Sequence, residues 1–307
     1  MQRAYISKLL EIAQRDEKVL HLLADSGTGY DELFQHNFEG RMLNLGIAEE
    51  NMVGVAAGLA VAGKVPFVYT AGAFLAYRAF EFIRDDVCFQ NLNVKIVGMG
   101  SGLAWCSLGP SHHTTEDVSV LRAIPNLCIL SPATPMQAAK CTELSYEIRG
   151  PVYIRLGMNN EPEYYDEDYR LPENGQDILR QGEQIAIFVT GSILEEVMEA
   201  AELLMDMGIS ATVVNVAVIK PFSETILCRL CDSIRMIFTV EEHNILGGLG
   251  GIVAEVLSGR ENSPRLCRIG LKNEFAIGYA NTQKKIRKIN GLDAVSIAEK
   301  IKEAFYE

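Results

Sequence analysis

The chain of 307 residues carries 40 acidic against 28 basic side chains, a formal net charge of -12 that repels phosphate backbones and argues against nucleic-acid binding. Hydrophobic residues make up 48% of it, enough for a substantial core, and at roughly 100–200 residues per domain two domains are expected. Seven cysteines (Cys88, Cys106, Cys128, Cys141, Cys228, Cys231, Cys267), odd in number and scattered through apolar segments, suit free thiols in a reducing cytoplasm better than a disulfide framework.

The opening stretch MQRAYISKLLEIAQRDEK reads as an amphipathic helix of mixed charge, without the apolar centre of a signal peptide. VLHLLAD (19–25) and RMLNLG (41–46) read as strands, and a helix opens near Glu49. Its apolar run from Met52 to Ala62 is too short and too glycine-rich to span a bilayer, so a soluble cytoplasmic protein is expected. VPFVYT (65–70) precedes a long helix through FLAYRAFEFIRD, and VKIVGMG (94–100), LCILSP (127–132) and VYIRLG (152–157) are further short strands. The tone changes over 158–182, a polar, acidic segment punctuated by Pro and Gly that reads as an interdomain connection. Beyond it, QIAIFVTG, ATVVNVAVI, MIFTVEE and RLCRIG read as strands and LDAVSIAEKIKEAFY as a closing helix. SILEEVMEAAELLMDMG reads as a helix with Ser192 as N-cap and Gly208 just past its end. Unbroken hydrophobic strands alternating with helices predict an α/β protein of two open, mainly parallel, doubly wound sheets, one over 1–157 and one over 183–307. Cys228 and Cys231 form a lone C-x-x-C with no second pair or nearby His, which reads as helical core packing rather than a zinc site.

In doubly wound sheets, ligands lie beyond the carboxyl ends of the strands. Glu49 follows RMLNLG, Phe74 and Tyr77 follow VPFVYT, and SLGPSHHTTED with His112 and His113 follows VKIVGMG. Arg155 ends VYIRLG, and His243 follows MIFTVEE. Each also has a plainer reading. A glutamate in a helix's first turn complements the helix dipole. The two histidines fit an ordinary loop, with Thr114 or Thr115 capping a helix that starts at Glu116. Arg155 fits a pair with an acid of the connection, while Phe74, Tyr77 and His243 fit packing. GGLGG (247–251) looks like a phosphate loop, but glycines at such a turn also serve close packing, and neither G-x-x-x-x-G-K-[ST] nor G-x-G-x-x-G occurs.

Six segments in order, GIAEENMVGVAAGLAVAGKVPFVYT, RAFEFIRDDVC, NVKIVG, GPSHHTTEDVSVLRAIPN, GPVYIRLG and TVEEHNILGGLGG, are spread over residues 46–251. Together they resemble the C-terminal half of transketolase, in particular the split form shared between two polypeptides. The resemblance implies a pyrimidine-binding domain followed by a small C-terminal α/β domain. It also implies thiamine-diphosphate-dependent transfer of a two-carbon ketol unit from a ketose (phosphate) donor to an aldose acceptor. Glu49 matches the glutamate of G-I-x-E, which hydrogen-bonds a ring nitrogen of the aminopyrimidine and favours its imino tautomer. That role requires a carboxyl whose protonated form is populated, and Ile47 with its apolar neighbours offers the desolvation to populate it. Phe74 and Tyr77 match aromatic positions that pack against the pyrimidine, with Ala71 in place of a further one. His112 matches the histidine facing the reacting sugar carbons, and Arg155 the arginine gripping the sugar phosphate. His113, where Gln is more usual, and His243 are open to substrate contact or to packing.

The family binds diphosphate and Mg²⁺ through a Gly-Asp-Gly motif followed by Asn, and no such motif occurs here. The resemblance therefore implies no metal ligands in this chain and a separate N-terminal subunit carrying that motif, in an α2β2 heterotetramer. Two departures concern the substrate. Gly100 stands where a histidine is usual, and Ser107 and Leu108 replace an acidic pair. A leucine accepts no hydrogen bond, and a buried hydroxyl left unpaired costs about 1–3 kcal/mol. With Trp105, this suggests a more apolar or differently substituted ligand. It also keeps open a carboligase using pyruvate or another 2-oxo acid, like deoxyxylulose phosphate synthase or an acyloin-forming enzyme. A 2-oxoacid dehydrogenase beta subunit and a non-catalytic regulatory partner stand further off.

Overall fold

The computed structural model describes residues 1–26, 29, 31–158 and 161–307. The first half builds α1 (Gln2–Arg15), β1 (Val19–Leu23), α2 (Asp31–Asn37), β2 (Met42–Asn44), α3 (Glu49–Val61) and β3 (Val65–Ala71). Next comes a helical run in which α4 (Phe80–Phe82) is flanked by π-helical turns at Phe74–Arg78 and Ile83–Phe89. Then follow β4 (Lys95–Met99), α5 (Asp117–Leu121), β5 (Cys128–Leu130), α6 (Pro135–Glu147) and β6 (Val152–Arg155). The second half opens with β7 (Gln176–Arg180), β8 (Ile185–Thr190), a 3-10 turn at Gly191–Ile193, α7 (Leu194–Asp206), β9 (Ala211–Val216) and β10 (Val218–Lys220). It closes with α8 (Thr225–Cys231), β11 (Met236–Asn244), α9 (Leu249–Ser258), β12 (Arg265–Leu271), α10 (Gln283–Ile289) and α11 (Ala294–Tyr306).

The strands form a seven-stranded sheet, ordered β10-β5-β6-β4-β3-β1-β2, and a five-stranded sheet, ordered β12-β11-β8-β9-β7. Among the described residues, all strand pairings are parallel except β10 on β5 and β7 on β9. The α/β expectation of two mainly parallel sheets holds. β1, β3, β4, β6, β8 and β9 are buried along their whole length, which is why they read as unbroken apolar runs.

Three local expectations are corrected. Part of the polar stretch 158–182 is strand β7, whose Gln176–Arg180 edge pairs with β9 (159 and 160 lie outside the described residues). ATVVNVAVI is not one strand: β9 ends at Val216, and β10 crosses to the edge of the first sheet. Ser192 is not an N-cap, because α7 starts at Leu194 and the buried serine hydroxyl instead meets Glu242 and Arg287. Gly208 does follow the helix end, with φ +79° after the C-cap Met207. C-x-x-C sits on α8 with Cys231 buried, as helical packing requires.

One apolar cluster joins Met52, Val53 and Ala56 of α3 and Ile83 and Val87 of the π turn to Phe188, Val214 and Leu249 of the second half. The lobes thus share a core, and β10 stitches them at the sheet edge. This sets the end of β11 against the loop after β4, with Asn244 donating its N–H to the Thr115 carbonyl at 2.7 Å. No helix among the described residues is long and apolar enough to cross a membrane.

Candidate active site

Glu49 is the first residue of α3, where its negative charge faces the helix's positive end. Its side chain is 1% exposed, and its Oε2 accepts a 2.6 Å hydrogen bond from Arg78 Nη1. Arg78 closes the π turn that Phe74 opens, and its guanidinium carbon lies 4.8 Å from the centre of the Phe74 ring. Phe74 in turn meets His112 edge-on, at 5.0 Å and 69°. His112 Nδ1 lies 3.0 Å from Ser111 Oγ, and its ring abuts Trp105 at 6.3 Å. An acid, an aromatic face and a half-buried imidazole therefore stand in a row at the carboxyl edge of the sheet. Sequence reasoning missed Arg78. Its only signal was a lone base inside the aromatic run FLAYRAFEF.

Tyr77 is 38% exposed, and its hydroxyl donates to Glu116 Oε2 at 3.0 Å and accepts from Glu116 N at 2.9 Å. Burial of the hydroxyl, with Asp117 and Glu116 nearby, pushes its phenol well above the ordinary range. Ile47 lies at the mouth of the loop before α3, 75% exposed. His113 is buried, with neither ring nitrogen hydrogen-bonded, and burial pushes its pKa down against the pull of Glu242 and Glu116. The proposed threonine caps are absent. α5 starts at Asp117 with no side-chain cap, Thr114 Oγ1 reaches the Gly100 carbonyl, and Thr115 Oγ1 donates to Glu116.

Arg155, which matches the arginine that grips the sugar phosphate, is engaged inside the protein through Nε and Nη2. It is 3% exposed, and Nε donates to both Asp117 oxygens at 3.1 and 2.9 Å. Its Nη2 donates to the carbonyls of Thr114 and Glu242. Burial opposes the charge, but Asp117 and then Tyr153 hold the guanidinium above its ordinary pKa. The arginine is a buried tie between the lobes, and its partner is Asp117 rather than an acid of the connection. His243 is likewise packed: Nδ1 donates to the Asn244 carbonyl at 2.6 Å and Nε2 accepts from Ser119 N at 3.4 Å.

The glycine-rich turn 247–251 holds an anion supplied by the protein itself. Glu241 accepts 2.8 Å bonds from the N–H groups of Leu249 and Gly250 at the start of α9. A Cβ at Gly248 would lie 2.0 Å from Glu241 Oε2, so close packing explains that glycine. Nearby, buried Glu242 accepts from Leu103 N, Ser192, Gln283 and Arg287. Burial alone would raise its carboxyl, but Arg287 and the hydrogen bonds hold it below the usual range. A cleft of about 630 Å³ lined by Lys18, Val65, Asn93 and Gly150 lies at the amino ends of the strands, the edge opposite this chemistry.

A family model described as the transketolase pyrimidine-binding domain matches residues 1–162. The chain belongs to the transketolase family. A second model, the transketolase C-terminal domain, matches residues 175–297. A Methanocaldococcus jannaschii protein described as a transketolase C-terminal section is 38% identical over 306 residues, covering 99% of this chain and 95% of that one. An apulose-4-phosphate transketolase subunit from Actinobacillus succinogenes is 36% identical, over 96% of this chain and 94% of its own. Among solved structures, a split-gene transketolase in an inactive beta4 tetramer matches with a TM-score of 0.90 at 35% identity, covering 99% and 98% of the two chains. The chain is thus built as the pyrimidine-binding and C-terminal part of a split transketolase, and membership implies dependence on thiamine diphosphate.

The transketolase residues present fit an aminopyrimidine. Glu49 and Phe74 offer a carboxylate and an aromatic face, and a flat cationic guanidinium already rests on both. The substrate-side departures are physically coupled. Gly100 has φ +72°, and a Cβ there would lie 2.1 Å from Trp105 Nε1, so the indole takes the room that a side chain at 100 would need.

Proposed function

We propose that this chain is the pyrimidine-holding subunit of a thiamine-diphosphate-dependent enzyme that transfers a glycolaldehyde unit from a ketose donor to an aldose acceptor. The observation that carries the reading is the buried Glu49 carboxylate beside the Phe74 ring. Glu49 and Phe74 would hold the aminopyrimidine, with Tyr77 and Ile47 at the rim. Thiamine diphosphate, when bound, supplies the electron sink for breaking and making the carbon–carbon bond. Shelter from water at position 49 strengthens any hydrogen bond made there. His112, held through Nδ1 by Ser111, presents its other ring nitrogen to a substrate oxygen as a proton carrier.

We leave Arg155 and His243 out of this machinery on the strength of their internal bonds, Nε and Nη2 of the arginine to Asp117, Thr114 and Glu242 and Nδ1 of the histidine to the Asn244 carbonyl. His113, buried next in the chain to His112, is given no contact with the substrate. We assign Mg²⁺ and the diphosphate to a separate subunit with the Gly-Asp-Gly motif, in an α2β2 assembly. The related split-gene transketolase is inactive as a beta4 tetramer, which supports partner dependence. The acidic connection of 158–182 divides the two domains, with its last part, Gln176–Arg180, folded into the second as strand β7. Seven free thiols suit a reducing cytoplasm. Leu108, 46% exposed and without an acceptor atom, and Trp105 support a donor other than the ordinary pentose phosphates.

The test is reconstitution with a Gly-Asp-Gly partner. Ketol transfer between a ketose phosphate and an aldose is expected, and Glu49→Gln removes most turnover while the complex survives gel filtration. Release of CO₂ from pyruvate with no use of ketoses overturns the reaction class and favours a carboligase.

A further inference from the structure

We propose that Arg78 is a displaceable occupant of the pyrimidine site, which keeps Glu49 paired and unreachable until the ring of the cofactor takes its place. The inference rests on the reading of Glu49 as the acid that meets the aminopyrimidine.

The geometry gives the arginine two contacts with one flat group. Its Nη1 lies 2.6 Å from Glu49 Oε2, and its guanidinium carbon 4.8 Å from the Phe74 ring centre. An aminopyrimidine is also planar, carries nitrogen-bound hydrogens along one edge and stacks on aromatic rings, so it calls on the same carboxylate and the same face. Both cannot be there together. Burial is unequal within the pair: Arg78 is 42% exposed and Glu49 is 1% exposed. The arginine is the movable lid, and the acid is what it covers. For a ring nitrogen to take the place at Glu49 Oε2, that side chain must swing outward.

The backbone supports this role. The π turn Phe74–Arg78 puts the ring at its start and the guanidinium at its end within contact of each other. There is also a reason for a cation to be there. A buried carboxylate without a partner is strongly disfavoured, so a chain folding before its cofactor arrives needs a substitute for it. Arginine remains charged in any environment of the folded protein, and its fork keeps the pairing directional. The cost falls on binding: the ring must displace a charge-assisted hydrogen bond, which scales its apparent affinity by the fraction of chains in the open form.

The experiment uses the full chain and the free aminopyrimidine moiety of thiamine as probe. Binding is followed by calorimetry and by the fluorescence of Trp105, the single tryptophan, whose ring touches the His112 that in turn touches Phe74. Arg78→Met keeps an apolar stem and removes the donors, and it is expected to tighten binding roughly tenfold, about the worth of one charge-assisted hydrogen bond. Glu49→Gln is expected to weaken binding in either background. Equal or weaker binding by Arg78→Met, with Glu49→Gln still defective, overturns the displacement and leaves the reading of Glu49 intact. Undiminished binding by Glu49→Gln removes that reading and the displacement with it. Failure of Arg78→Met to bind at millimolar probe also overturns the proposal, since removing the lid should open the site. A ligand-free check is a double-mutant cycle on thermal unfolding. Non-additive midpoint shifts for Glu49→Gln and Arg78→Met are expected, and additive shifts show that the pair does not exist in solution.

Discussion

Replacing Arg155 with methionine separates a structural tie from a substrate grip. The change leaves Asp117 fully buried, with the Tyr153 hydroxyl at 2.8 Å as its remaining close donor. Removing one partner of a buried ion pair costs about 3–5 kcal/mol, because the other charge is left behind. The carbonyls of Thr114 and Glu242 also lose their shared guanidinium donor. At roughly 2–4 °C per kcal/mol for domains of this size, the midpoint of thermal unfolding should fall by about 6–20 °C. Urea unfolding of the isolated chain, read by circular dichroism and by Trp105 fluorescence, measures the loss. Arg155→Met combined with Asp117→Asn should recover part of it, because no bare carboxylate then remains. A variant within about 1 kcal/mol of the parent, whose reconstituted enzyme shows a raised KM for phosphorylated donors, refutes the tie and restores the phosphate-gripping role.

Lys95 is buried, with Nζ donating to the carbonyls of Ile148 and Gly150 at 2.7 and 2.9 Å, and burial pushes its pKa down to about 7. Between that value and the ordinary 10.5, the unfolded chain binds a proton the folded one lacks. Stability should therefore rise with pH across this window, by up to about 1.4 kcal/mol per pH unit, and fall as pH drops. Lys95→Met should flatten that slope in urea titrations, and an unaltered slope refutes the assignment. Gly100→Ala should cost about 1–3 kcal/mol by forcing the indole of Trp105 aside and by placing a Cβ at φ +72°, and Trp105→Ala in the same chain should relieve the first part and leave the second; thermal unfolding of the pair decides. Glu241→Gln should destabilise by about 0.5–2 kcal/mol, since α9 loses the charge at its start, as scanning calorimetry can measure. In the parent, inorganic phosphate should give no protection through this turn, and marked stabilisation abolished by mutating the turn's glycines would contradict the internal-anion reading.

The layered α/β architecture was legible because strands buried on both faces must be apolar throughout, as in VPFVYT and QIAIFVTG. Their order and most helices follow from periodicity. The acid at position 49, the aromatic residue at 74 and the histidine at 112 could be singled out because each lies in the segment that follows a strand and matches a family motif. Crossing elements were not legible: β7 inside a polar, acidic stretch and β10 a residue beyond β9 gain their places from pairing with distant strands.

Sequence by itself determined the class of fold and the family, since these depend on local hydrophobic period and on short motifs. Only the tertiary structure decided which charges meet. Arg155 was open to a phosphate or to an acid of the connection and pairs with Asp117, 38 positions away, and Arg287 finds Glu242 across 45. Arg78, 29 positions from Glu49, gave no sign of covering it. The reason is physical: burying apolar surface depends on a residue's own neighbours in the chain, whereas a buried ion takes whichever opposite charge the finished packing brings within reach.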